Sequence, residues 1–229
     1  MRALMQLGEP NPSQINANDI LSAISFDHTG KLLSVGDRGG RVIMFKQTVG
    51  EDGLEDWVYI SEFQGFPHQF NVMTSQDISQ SVTQLEWTNK SHQQNPAILC
   101  ANGTSCALFR MTVKPVYQCE SAKKKLAKSK GLCIPKTRKL KIDHESKKRA
   151  TYTTGCEKKI HSLSMAHDEE NFLMGDVDRL LLWNIERPTF ETQSLLDFDN
   201  KNSKGSNDEM IVTSAKFHEN KSMFLYTTN

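Results

Sequence analysis

The stretch LLSVGDRGGRVIMF, residues 32–45, sets three glycines and three charged residues between two apolar runs. Such a pattern fits either a phosphate-cradling loop or the tight turn of a β-hairpin. A phosphate loop exposes backbone N–H groups and then enters a helix, whose N-terminus favours the anion. Walker-type loops also supply Gly-Lys-Ser/Thr for phosphate and magnesium. Here the glycines lead into Val42-Ile43-Met44-Phe45, a run that suits a strand, and no Lys-Ser/Thr follows. The dinucleotide fingerprint fails on the same ground, because it too opens a helix. The stretch reads as strand–turn–strand, with Gly39 or Gly40 supplying the positive φ of the turn. Asp37 is placed to hold that turn through Asx-type bonds to backbone N–H groups.

Working outward, the same unit recurs: a short strand ending in a large apolar residue, a polar turn, an apolar strand, a second turn, and a third strand ending in an aromatic. Its copies are ILSAISFDHTGKLLSVGDRGGRVIMF, VTQLEWTNKSHQQNPAILCANGTSCALF and IHSLSMAHDEENFLMGDVDRLLLW, and a fourth begins with VTSAKFHENKSMFLYTTN. From the end of the first strand to the closing aromatic the copies run 19, 22 and 18 positions. Short β-branched or aromatic runs bounded by turn residues argue for antiparallel β throughout. Repeats of this kind suggest the four-stranded blades of a β-propeller, with long insertions between units. A non-repetitive β-sandwich is the competing all-β reading.

The hydrophobic fraction of 37% and charged fraction of 24% are those of an ordinary globular protein. No run approaches the ~18 apolar residues of a membrane span, so no membrane partner is expected. The opening MRALMQLGEPNPSQ carries no apolar stretch of secretory length. The five cysteines are odd in number and form no Cys-x-x-Cys pair, which suits reduced thiols of the cytosol or nucleus and gives no zinc motif.

Net charge is +1, but residues 123–149 hold 12 of the 28 Lys+Arg and only two acids, leaving the rest of the chain at −9. A basic insert on an acidic body suits docking to one partner while the body attracts basic ligands. On composition alone a solvated loop competes with that reading. Little aromatic material interleaves the lysines, which argues against nucleic acid.

No catalytic constellation emerges. His28 and His218 follow strand-ending Phe residues at equivalent repeat positions, and Asp37 and Asp176 each follow a glycine in matching turns. Recurrence in register is what structural turns produce. His161 reads as a structural histidine, and Asp176 with Asp178 makes a poor carboxylate pair. No nucleophile elbow, His-Glu-x-x-His or kinase set is present. The chain is read as a non-enzyme with no cofactor and no metal.

The first unit also resembles the opening blade of the B-type WD-repeat regulatory subunits of serine/threonine protein phosphatase 2A. The residues carrying the likeness are Asp19-Ile20-Leu21-Ser22, Phe26-Asp27-His28-Thr29-Gly30 and Gly36-Asp37-Arg38-Gly39-Gly40-Arg41-Val42. The likeness continues through FQGFPHQFNVMTSQDISQSVTQLEW, KKIHSLSMAHDEENFLMGDVDRLLLW and TSAKFHEN, covering roughly residues 16–229. It implies an all-β, seven-bladed propeller, of which this sequence supplies about three blades and the start of a fourth. The organisation expected is an N-terminal tail (1–18) and a partial propeller (19–229), with a basic hairpin arm at about 113–150.

The function implied is that of a non-catalytic subunit. It docks on the HEAT-repeat scaffold of the phosphatase and directs the catalytic subunit to phosphoprotein substrates. A propeller-derived interaction scaffold that no longer binds the phosphatase is the alternative. In the family the arm contacts the scaffold, which here implicates Leu132, Ile134, Pro135, Lys136, Arg138, Lys139 and Lys141. The substrate-facing residues implied are Asp37, Arg38, Asp77, Asp176 and Val177. Here the sequence departs from the family: Val177 stands where a second aspartate is usual, Arg38 replaces a lysine, Asp208 stands near a family leucine, and the acidic run before the second blade thins to Asp77 with Ser79 and Gln80.

Overall fold

The computed structural model describes residues 11–50, 55–78, 80–88, 95–119, 137–153, 159–188, 193–197, 211–218 and 223–229. Two single 3-10 turns, Pro12–Gln14 and Ala17–Asp19, precede the first sheet, which is β1 (Leu21–Phe26), β2 (Leu32–Asp37), β3 (Arg41–Val49) and β4 (Glu55–Gln64) in sequential order. A small hairpin follows, β5 (Gln69–Asn71) with β6 (Gln76–Ile78). The second sheet is β7 (Gln84–Trp87), β8 (Ala97–Ala101), β9 (Ser105–Cys119) and β10 (Thr137–Thr153). The third is β11 (Ser162–Met165), β12 (Asn171–Gly175), β13 (Arg179–Asn184) and β14 (Gln193–Asp197), and β15 (Val212–Phe217) pairs with β16 (Phe224–Thr228). Every pairing is antiparallel. These are three four-stranded blades and the first two strands of a fourth, all-β as the repeats imply. Among the described residues no helix is long and apolar enough to cross a membrane.

The middle strands show why the repeat was legible. β8 is buried at all five positions, and β2 and β12 at all but their first. A strand covered on both faces by neighbouring blades reads as a continuous apolar run, AILCA or NFLMG, and its alternate residues feed different interfaces. Thus Ile98 and Cys100 join Val42, Met44 and Trp87 between the first two blades. Leu99 and Ala101 join Leu163, Phe172 and Trp183 between the second and third. Leu173, Leu180 and Ala215 begin the next seam. Cys100 and Cys106 are free, buried thiols, and burial pushes both up from the ordinary thiol value.

One backbone bond recurs at each seam. The residue entering a new blade donates its N–H to the β2–β3-type turn of the blade before: Val82 to Asp37 O (3.0 Å), Ile160 to Gly103 O (2.9 Å) and Val212 to Val177 O (2.9 Å). The approach is close enough that a Cβ at Gly36 would stand 2.5 Å from Val82 Cγ1.

Glu86 on β7 crosses the second seam, its Oε1 accepting the Met165 N–H at 3.3 Å. Burial pushes its carboxyl up, against the opposing pull of Lys216 and the Met165 N–H. A raised carboxyl binds its proton in the folded chain while the unfolded chain is already ionised. Its stabilising contribution is full below the unfolded value of about 4.3 and is lost as pH rises through the folded value. Glu86→Gln is expected to flatten this decline, read from denaturant melts at rising pH from about 4 upward.

Candidate functional site

Register fixes two rims. The pairs Leu21↔Asp37 and Arg41↔Gln64 put the start of β1, the β2–β3 turn and the end of β4 on one rim. The β1–β2 turn, the paired ends Val49 and Glu55 of β3 and β4, and the paired ends Cys119 and Thr137 of β9 and β10 lie on the other side.

On the first rim the glycine-rich turn is held from several sides. Asp37 accepts the Arg41 N–H on Oδ1 and the Arg41 Nε–H on Oδ2, both at 2.8 Å, and Arg41 also pairs with Asp19. The Asp37 hydrogen bond, reinforced by both carboxylate charges and opposed by partial burial, raises the Arg41 guanidinium further. The positive φ belongs to Gly40, at 83°, and not to Gly39. In the third blade Asp176 repeats the design, accepting the N–H groups of Asp178 (3.2 Å) and Arg179 (2.8 Å) and pairing with Arg179 Nη2 at 3.0 Å. Burial pushes the Asp176 carboxyl up although Arg179 and those N–H groups pull it down. The second blade uses Asn102, whose Oδ1 takes the N–H groups of Thr104 (2.9 Å) and Ser105 (2.7 Å) while Nδ2 donates to Gln80 at 3.0 Å. Asn102 was absent from the candidates because an uncharged residue breaks the Gly-Asp pattern, yet ANGTS at the matching repeat position was the available signal.

The same geometries describe the surroundings of the substrate-facing candidates. Asp37 is 1% exposed and Asp176 fully buried, and both carboxylates bond within their own turns. Arg38 is exposed on the same turn, and Val177 is half-buried with its carbonyl taken by Val212. Asp77 lies in β6, but its side chain, like Ser79 and Asp208, is outside the described residues. The β5–β6 hairpin, entered from the rim end of β4, exposes Phe70, Val72, Met73 and Ile78, which sequence reading did not single out. Replacing Asp37 with Ala is expected to cost about 2 kcal/mol, through the lost turn cap on the Arg41 N–H and the lost ion pair with its guanidinium. Arg38→Glu is expected to leave stability within about 0.5 kcal/mol of the native chain. Urea unfolding of the two variants separates a turn residue from a surface one.

On the opposite rim β9 and β10 run together from Ser105↔Thr153 to Cys119↔Thr137, whereas β8 accompanies β9 only from Cys106 to Arg110. Beyond Arg110 the two strands form a ribbon with no third strand. Its base is tied down by Met111 N–H to Pro96 O (2.9 Å) and by Ser61 Oγ–H to His144 O (3.0 Å). There Lys114 pairs with Glu145, and Lys147 stands 3.7 Å from the same carboxylate. These contacts draw the Glu145 carboxyl down, the Lys114 hydrogen bond most strongly. Arg138 and Lys139 lie on the distal half, exposed. Lys141 is placed by its backbone opposite Val116, its side chain being outside the description, and Leu132, Ile134, Pro135 and Lys136 fall wholly outside the described residues. Among the described residues no group of three or more His, Cys, Asp or Glu could hold a metal ion.

No family model matches the chain. Among curated proteins it is similar to a PP2A regulatory protein of the B type from Schizosaccharomyces pombe, 27% identical over 217 residues, covering 89% of this chain and 45% of the relative. It is similar also to the phosphatase 2A regulatory subunit sur-6 of Caenorhabditis elegans, 27% identical over 226 residues, covering 92% of this chain and 45% of the relative. The gamma isoform of the mouse B-type 55 kDa regulatory subunit is 27% identical over 233 residues, covering 95% of this chain and 50% of the relative. The chain thus spans about half the length of the curated relatives it matches, and the resemblance read from its first blade extends over about nine-tenths of it. The Cps50 (Swd1) β-propeller domain of Myceliophteria thermophila superposes with a TM-score of 0.52 at 10% identity, over 91% of this chain and 50% of that one, which supports the propeller fold.

Proposed function

We propose that this chain acts as a non-catalytic regulatory subunit of a type 2A serine/threonine phosphatase, or as the N-terminal portion of one. The observation that carries the reading is the similarity to the named regulatory subunits at 27% identity over nine-tenths of the chain. In this reading the β9–β10 ribbon docks on the HEAT-repeat scaffold of the enzyme, in the cytosol or nucleus. The opposite rim, with Arg38 and the β5–β6 hairpin, faces phosphoproteins presented to the catalytic subunit. The physical support is a two-stranded ribbon extending beyond the pairing with β8, with Arg138 and Lys139 exposed on its distal half. Such a charge steers encounter with an acidic surface and fixes register more than it adds raw affinity. Val177 in place of the second aspartate and the acidic run thinned to Asp77 give the substrate rim a different charge pattern from the one the resemblance implies, so its clients are expected to differ. Mixing the chain with purified scaffold–catalytic core and following size-exclusion chromatography tests the reading. Co-elution at low salt is expected, and separate elution would overturn it.

A further inference from the structure

The underside of the first blade and the base of the arm line an open cavity of about 270 Å³. Its apolar lining is assembled from distant parts of the chain: Leu32, Ile60, Pro96, Met111 and Val113. Lys31, Lys46 and His144 complete the wall. Register places Lys46 directly opposite Leu32, so the two lysines flank the same strand end. Both are exposed, and among the described residues neither forms an ion pair. The acid in the lining, Asp27, is 6% exposed and committed to its own turn: Oδ1 accepts the Leu32 N–H at 2.8 Å and Oδ2 the Thr29 hydroxyl at 2.6 Å. The anchoring bonds from Met111 to Pro96 and from Ser61 to His144 hold the walls in place before any partner arrives. A preformed site avoids much of the ordering cost of association.

We infer that this cavity is a docking site for an acidic protein segment carrying an apolar side chain. The side chain enters between Ile60, Met111 and Val113, and flanking carboxylates meet Lys31 and Lys46. Charge complementarity selects the acid, and the apolar floor selects a peptide over a nucleic acid. A single-stranded nucleic acid stacks its bases on aromatic rings, and no Phe, Tyr or Trp lines the cavity, His144 being its one aromatic ring. The inference is separable from the phosphatase reading, because the cavity lies between the first blade and the base of the arm and does not include the distal Arg138 and Lys139.

The test is fluorescence polarisation of a fluorescein-labelled hexapeptide, Glu-Asp-Leu-Phe-Glu-Asp, titrated with the whole 229-residue chain. Saturable binding is expected. It should weaken at least about tenfold in the Lys31→Glu/Lys46→Glu variant, and comparably when Leu-Phe is replaced by Ser-Ser. Binding should persist in Lys31→Arg/Lys46→Arg, which keeps the charge and guards against a folding artefact, and in Arg138→Glu/Lys139→Glu. Unchanged affinity in the double-Glu variant, equal binding of the Ser-Ser peptide, or no saturation by about 1 mM would overturn the proposal. Equal competition by a ten-nucleotide oligothymidylate would do the same in favour of general anion binding. Failure of scaffold binding with intact peptide binding would instead count against the phosphatase reading alone.

Discussion

Gly40→Val is expected to destabilise the chain by about 3 kcal/mol or more, the largest effect of any glycine substitution in the first blade. Two physical terms add. Gly40 sits at φ 83°, a left-handed conformation that costs an L-residue about 1–2 kcal/mol and a β-branched one more. A Cβ there would also stand 2.3 Å from Phe66 O and 2.7 Å from Gln80 O, backbone atoms that cannot swing aside. Both lie on the segment leaving β4 for the second blade, and Gly40 O itself accepts the N–H groups of Gly65 (2.8 Å) and Phe66 (3.1 Å). The substitution therefore strains the turn and the blade junction together. Gly30→Ala supplies the control: its φ is 69°, but its Cβ would meet nothing within 4 Å, so only about 1 kcal/mol is expected. Urea unfolding of both variants checks the ordering, and an equal loss in the two would show that the close approach carries no energy.

Tyr152→Ala is expected to cost about 3–5 kcal/mol, as deletion of a fully buried aromatic does. The ring is wholly buried between the second and third blades, edge-on to Phe172 at 4.9 Å and to Trp183 at 5.5 Å. Its hydroxyl donates to Ile185 O at 2.6 Å, and burial pushes the phenol up from its ordinary value. Tyr152→Phe keeps the packing and orphans one carbonyl, for which about 1–2 kcal/mol is expected. Because Tyr152 lies at the blade end of β10, the same strand that carries the basic arm, its removal also loosens the arm's attachment. A partial loss of scaffold affinity at temperatures where the variant is still folded would show that coupling.

The middle strand of each blade was legible because burial on both faces leaves a continuous apolar run, and the strand after it ends in an aromatic, Phe45, Phe109 or Trp183. The outer strands β4, β10 and β14 escaped the repeat pattern. Each has a strand neighbour on one side only and much exposed surface, so its residues need not alternate cleanly. The glycine-rich turn was legible as a turn, since its glycines and aspartate have local geometric reasons to be there. What its aspartate faces was not legible. Arg41 lies four residues along and Asp19 eighteen residues back, and only the folded rim shows that they enclose Asp37. The cavity under the arm was invisible for the same reason, because its walls come from the first two blades and meet only in space.

The proposal that this chain serves a phosphatase is tested most directly at the arm. Biolayer interferometry with immobilised phosphatase 2A scaffold, comparing the native chain with a Lys136→Glu/Arg138→Glu/Lys139→Glu/Lys141→Glu variant at several salt concentrations, measures it. The expected result is saturable native binding that weakens as salt rises, and a loss of about a hundredfold or more in the variant. Native binding too weak to saturate at low salt, or a variant that binds as tightly as the native chain, would contradict it.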